Sequence, residues 1–200
     1  MTASLDLRKV EIQELSGSLT TWSDEKPNQI RLAWHATPTS EAKELVLLDP
    51  KDYGNADDAT GSKVYGRVKD LAGTLHSLEI PHILKCKGWY EDQATAQFYF
   101  VYHLPSECES QSGGAEFLSL YEAFKIVRPS VGARMRLALS LAETVGLIHE
   151  NGWLHKGVQS RHVLFFPSRP GGRPNLEHPR LVGFDYARRE GPRGYSEKPM

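Results

Sequence analysis

The run from Pro129 to Arg188 constrains this chain more than any other. Pro129-Ser130 opens it, with Ser130 as an N-cap residue type, and Asn151-Gly152 closes its first element. Between them Met135, Ala138, Ala142, Val145 and Ile148 recur at helical spacing, which predicts a helix from about Val131 to Glu150. WLHKGVQSRHVLFF follows, from Trp153 to Phe166, and its apolar end, Val163 to Phe166, reads as a short buried strand. A loop holding Pro, Gly and Arg spans Pro167 to Pro179. A second short strand, LVGFDYAR, runs from Leu181 to Arg188. The order is therefore helix, His-containing loop, apolar strand, hairpin, apolar strand. The helix must lay its apolar face on something, and the strand at Val163 is the nearest apolar surface.

That order resembles the catalytic segment of the protein kinase fold, where the loop reads H-R-D-L-x-x-x-N and a D-F-G triplet follows the second strand. On the pattern, His155 takes the place of the His, Lys156 of the Arg, and Val158 of the Leu. Gly157 stands where the catalytic Asp is, and His162 where the metal-binding Asn is. Gly183-Phe184-Asp185 falls at D-F-G with acid and glycine exchanged. More closely, GWLHKGVQSRHVLFF followed by PRLVGFDYARR is similar to the kinase-like domains of filamentous fungi that accompany HeLo-type, prion-forming or incompatibility modules. KCKGWYED, FYFVYHLP and LALSLAETVGLIHENGW add to this resemblance, which covers about residues 40 to 190 and is most specific in the C-terminal half. It implies an α+β, kinase-like fold: a small antiparallel-sheet N-lobe and the first part of a helical C-lobe. The implied divisions are an N-lobe-like part at 1–106, a linker at 107–115 and a partial C-lobe at 116–200.

The substituted positions carry the chemistry. Gly157 has no side chain to accept a hydroxyl proton. Imidazole at His162 is a poor ligand for magnesium, which prefers oxygen, and Gly183 offers no ligand. Phosphoryl transfer depends on positioning and charge neutralisation, so the resemblance implies a pseudokinase acting as a signalling or scaffold module. The alternative is an active ATP-dependent kinase with displaced residues. In an extended chain Asp185 points to the same side as Gly183, so it is the candidate magnesium ligand, with Lys156 or His155 assisting. His155 also has a structural reading, holding backbone and packing on Phe184. A zinc site on His149, His155 and His162 is disfavoured, since spacings of six and seven match no common ligand pattern.

The N-terminal half supplies the remaining candidates. Gln29 to Ala36 reads as a strand, and Leu45 to Leu48 as a buried one. Lys51 is the candidate for the strand lysine that contacts nucleotide phosphates. Pro50 beside it argues for a strand end and a surface lysine. A helix is expected from Ser62 to Ser77, with Val64, Val68, Leu71 and Leu75 on one face. Asp70 is its single acid and the candidate partner of Lys51. Ile83 to Trp89 and Gln97 to Leu104 read as an antiparallel pair joined by a polar turn from Tyr90 to Ala96. On the kinase template His103 to Pro105 borders a nucleotide pocket, which makes His103 the second candidate for ATP. Leu15, Leu19 and Trp22 are candidates to cover a sheet edge, Ser106 to Ala115 is a flexible boundary, and Gly191 to Met200 is expected to be disordered. Neither G-x-G-x-x-G nor G-x-x-x-x-G-K-[ST] occurs in the sequence.

Composition sets outer limits. A formal net charge of -1 over 200 residues argues against a general nucleic-acid surface. No apolar run reaches the roughly 18 residues of a membrane span, and the first residues have no signal-like apolar core. The two cysteines, Cys86 and Cys108, fit no zinc or redox spacing, which suits a reducing, cytoplasmic setting. A full kinase-like domain needs about 100 further residues. Exposed apolar area is therefore expected on the Val131 to Glu150 helix, to be covered by a protein partner or by the rest of a lower lobe.

Overall fold

The computed structural model describes residues 7, 12–14, 29–36, 43–53, 58–109, 115–169 and 171–191. Leu15, Leu19, Trp22 and the tail after Gly191 lie outside them. The chain is α+β and divides into two compact units. The first comprises Met1–Glu79 with Leu84–Ala115, the second Ile80–Ile83 with Glu116–Met200.

The first unit is built on five antiparallel strands: β1 (Ile12–Glu14), β2 (Arg31–Ala36), β3 (Lys43–Asp52), β4 (Cys86–Asp92) and β5 (Gln97–His103). Their spatial order is β1-β2-β3-β5-β4. Helix α1 (Asp58–Ser77) connects β3 to β4, starting earlier than its apolar stripe alone predicts. Val64, Val68, Leu71 and Leu75 are buried, as that stripe requires. Tyr65 meets Trp89 of β4 edge-on at 5.2 Å. Ala33, Val46, Leu48, Tyr90, Tyr99 and Val101 form a second cluster, against which Leu7 packs. The Leu7 N–H donates to the Trp89 carbonyl at 2.8 Å, occupying part of the β4 edge.

Strand β3 runs past Pro50, which sits opposite Tyr99. This corrects the expectation that Pro50 ends the strand. Strand β2 stops pairing at Arg31 opposite Leu48, so beyond that point β3 has, among the described residues, a paired strand on one side only. A proline is tolerated there because its missing N–H leaves no ladder bond unmade on the open side. Strand β4 also runs further than expected, to Asp92. The turn to β5 shrinks to four residues, with Ala94 N–H donating to the Asp92 carboxylate at 3.0 Å and Ala96 left-handed (φ 53°). After β5 a single turn, α2 (Ser106–Glu109), occupies the start of the stretch expected to be flexible.

The second unit holds β6 (Leu118–Ser119), α3 (Leu120–Ile126), α4 (Val131–Glu150), β7 (Trp153–Leu154), β8 (Val163–Phe165), β9 (Arg180–Leu181) and β10 (Arg188–Arg189). Strands β6-β8-β9 make one small sheet, and β7 pairs with β10. Ser119 and Glu122 form a reciprocal capping box at the start of α3. Ser130 caps α4 through Ala133 N–H at 3.2 Å, and Gly152, left-handed at φ 75°, turns the chain out of it.

The buried face of α4 is the expected one only in part. Ile148 is buried and Val145 half-buried as expected, but Leu137 and Thr144 are the other buried residues, whereas Met135, Ala138 and Ala142 are exposed. Thr144 determines the choice. Its hydroxyl lies 2.7 Å from the Ser140 carbonyl and 3.1 Å from that of Pro81. The short segment Ile80–Ile83 is thereby tied to α4. The same segment binds β9, where Leu181 N–H donates to the His82 carbonyl at 2.7 Å. A polar residue with hydrogen-bond partners outranks Ala138 and Ala142, because an alanine gains little from burial. The exposed apolar area expected on this helix is present: Val131 is 74%, Met135 67% and Leu139 60% accessible. Among the described residues no helix is long and apolar enough to cross a membrane.

Candidate functional site

The loop between β7 and β8 is organised by two histidines with opposite tautomers. His155 is fully buried beside Phe184, with ring centroids 4.4 Å apart. The Gly157 N–H donates to its Nδ1 at 3.1 Å, so Nδ1 carries no proton. Its Nε2, 3.1 Å from the Val182 carbonyl, is then the donor. Burial, helped by the nearby His162, pushes the His155 pKa down to about 4. Both ring nitrogens serve backbone groups, which is the structural role that the packing on Phe184 suggests.

His162 is the complement. Its Nδ1 lies 2.7 Å from the Gly157 carbonyl and donates to it. Its Nε2 accepts from the Gln159 amide at 3.0 Å. The backbone of His162 joins in, with its carbonyl accepting from Val182 N–H at 2.9 Å. The two rings therefore clamp Gly157 from both its N–H and its carbonyl side, and Val182, just before Gly183, is held by the His155 ring and by the His162 backbone carbonyl.

The glycines are required by this arrangement. Gly183 is left-handed at φ 79°, and a Cβ there would fall 2.1 Å from His162 Nδ1 and 2.2 Å from Cγ. The imidazole fills the space into which a side chain at 183 would grow. A Cβ at Gly157 would come 2.8 Å from the Gly183 carbonyl and 3.3 Å from an Asp185 carboxylate oxygen. Lys156, just before Gly157, is itself left-handed (φ 59°). Gly157, His162, Gly183 and Asp185 are thus close to one another.

Phe184–Tyr186 form a 3-10 turn, not extended strand. This corrects the two-residue alternation by which Asp185 was to replace Gly183. The turn carries the Asp185 carboxylate towards Gly157 instead. These residues do not fit a magnesium ion. Of His155, Gly157, His162, Gly183 and Asp185, Asp185 alone has an oxygen ligand on its side chain, and the neighbouring position is taken by imidazole. Among the described residues no group of three or more His, Cys, Asp or Glu is placed to hold a metal.

The first unit holds the other candidates. Lys51 is buried at 3%, opposite Phe98, against the expectation of a surface lysine. His103 is opposite Val46, five residues back along β3, a separation of about 17 Å in an antiparallel ladder. Strand alternation also puts the two on opposite faces of the sheet. Lys51 and His103 therefore do not converge on one ligand. Asp70 faces solvent on α1, whereas Lys51 is buried.

His103 belongs to a group that sequence reasoning missed. Its Nδ1 is 2.5 Å from one oxygen of Glu44, and Lys87 Nζ is 2.6 Å from the other. Partial burial opposes ionisation of Glu44, but the Lys87 hydrogen bond and the charges of His103 and Lys87 together hold its pKa below the usual value. The buried Asp49 was missed too. It follows the apolar run Leu45–Leu48 and raises the pKa of Tyr102, whose burial is the larger cause.

No protein-family model matches the chain, and no curated protein matches it.

Proposed function

We propose that this chain is a kinase-like pseudokinase of the type that accompanies fungal HeLo, prion-forming or incompatibility modules. On this reading it works in the cytoplasm as a signalling or scaffold module and transfers no phosphoryl group. Two features of architecture support the reading. A small antiparallel sheet with one helix between its third and fourth strands precedes the helical part. The histidine loop then follows the long helix α4 and precedes the Gly183-Phe184-Asp185 turn. The observation that carries it is the His162 ring seated where a side chain at Gly183 would begin. A site that had merely lost its acids would leave room for them. This one has filled the room with a hydrogen-bonded imidazole. Both cysteines are buried, in keeping with a reducing compartment.

One observation favours the alternative, an active kinase with a displaced acid. An Asp185 oxygen lies 3.3 Å from the point at which a Gly157 side chain would start. Incubating the purified chain with labelled ATP, magnesium and a general protein substrate separates the two. The pseudokinase reading expects no label above a protein-free control. Magnesium-dependent label that is lost in Asp185→Ala would establish the alternative.

A further inference from the structure

The exposed side of α4 has a pattern that the site above does not use. Val131, Met135, Leu139, Ala142 and Gly146 lie on the face opposite Leu137, Thr144 and Ile148. From Val131 to Gly146 this stripe is about 22 Å long. Gly132, Met135, Leu139, Ala142 and Gly146 follow the alternating three- and four-residue spacing of a coiled-coil seam. Along one flank, Arg136, Glu143 and Glu150 recur every seven residues, so they occupy one and the same heptad position.

Opposite charges at one heptad position discriminate between partners. When a helix pairs with a parallel copy of itself, these residues lie beside the other flank, here Val131, Ala138 and Val145, which carries no charge. In an antiparallel copy the same heptad position meets itself across the seam. Arg136 then lies opposite Glu143 of the partner subunit, and Glu143 opposite Arg136 of the partner subunit. A single two-fold axis between Leu139 and Ala142 makes both pairs at once. The same register sets Met135 against the partner's Gly146 and Leu139 against the partner's Ala142, large against small in both layers.

We propose that the exposed face of α4 is a self-association surface, and that its occupant is α4 of a second copy of this chain, antiparallel. Arg136 at present reaches Glu177 of its own unit at 3.4 Å, with both side chains 64% exposed. Such a pair is weak and exchangeable, and the guanidinium has further donors to offer. The area is small, so the dimer belongs with weak, transient associations.

The test is sedimentation velocity on the full chain over a concentration series up to about 0.5 mM, a range suited to an interface of this size. The unmodified chain should move from monomer towards dimer. Arg136→Glu and Glu143→Arg alone each set like charges across the axis twice, and each should weaken association at least about tenfold. The double variant Arg136→Glu/Glu143→Arg restores the opposition and should recover it. Leu139→Glu, at an exposed position in the seam, should abolish it. Circular dichroism of every variant should match the unmodified chain. A concentration-independent monomer overturns the proposal and assigns the face to another partner. Association that Leu139→Glu abolishes but the charge variants leave unchanged overturns the antiparallel register, and with it the proposal as stated.

Discussion

Placing a side chain at Gly183 probes the histidine loop most sharply. Alanine at this position meets two obstacles. The left-handed backbone, φ 79°, costs roughly 1–2 kcal/mol for a residue with a Cβ. The new Cβ also falls 2.1 Å from His162 Nδ1, so the ring must leave. Its departure breaks the bond to the Gly157 carbonyl and leaves that group short of a donor, a further loss of about 1–3 kcal/mol. Together Gly183→Ala should destabilise the chain by about 3 kcal/mol, read as a lower urea midpoint at unchanged slope. His162→Ala removes the obstruction in advance. In Gly183→Ala/His162→Ala the second obstacle is absent, so the double variant should be more stable than the sum of the two single losses predicts, by at least about 1 kcal/mol. Additive losses would refute the claim that the imidazole and the missing side chain compete for one space. Gly183→Ala as stable as the unmodified chain would refute it as well.

Two further outcomes follow from the same region. His155 has its pKa lowered to about 4 by burial, while the unfolded chain titrates near 6.5. Its contribution is complete above pH 6.5 and is lost as pH falls towards 4, up to about 3 kcal/mol, because the unfolded state binds the proton first. Urea midpoints between pH 7 and 4 should fall more steeply for the unmodified chain than for His155→Asn. Thr144→Val removes the hydroxyl that lies 2.7 Å from the Ser140 carbonyl and 3.1 Å from that of Pro81 and should destabilise by about 1 kcal/mol, whereas Thr144→Ser should retain most of the stability.

The long elements were legible in the sequence, because their signals are periodic and local. Helix α4 is bounded by Ser130 and Gly152 as its capping residues dictate, and α1 buries the Val64 stripe. The buried face of α4 was legible only in part. It depends on Thr144 finding Pro81, a partner 63 residues away, and helical spacing carries no information about such a partner. Pro50 misled for a related reason: its effect depends on whether β2 still runs beside it. At the candidate site, the sequence identified which residues replace the expected ones but not that they fit one another. His162 read as a poor ligand, and Gly157 and Gly183 as losses. The structure joins them through distances that no spacing rule contains. The Glu44 group stayed hidden because Lys87 and His103 lie 43 and 59 residues from it.

The most direct test of the account is thermal unfolding of the chain with ATP, in the presence and in the absence of magnesium. A ligand at 100 times its dissociation constant adds about 2.7 kcal/mol to the folded state, which for a chain of this size raises Tm by roughly 5–10 °C. The residues of the histidine loop do not fit a magnesium ion, so a cooperative transition is expected whose Tm with ATP is the same whether or not magnesium is present. A rise in Tm that requires ATP and magnesium together, and that disappears in Asp185→Ala, would contradict it.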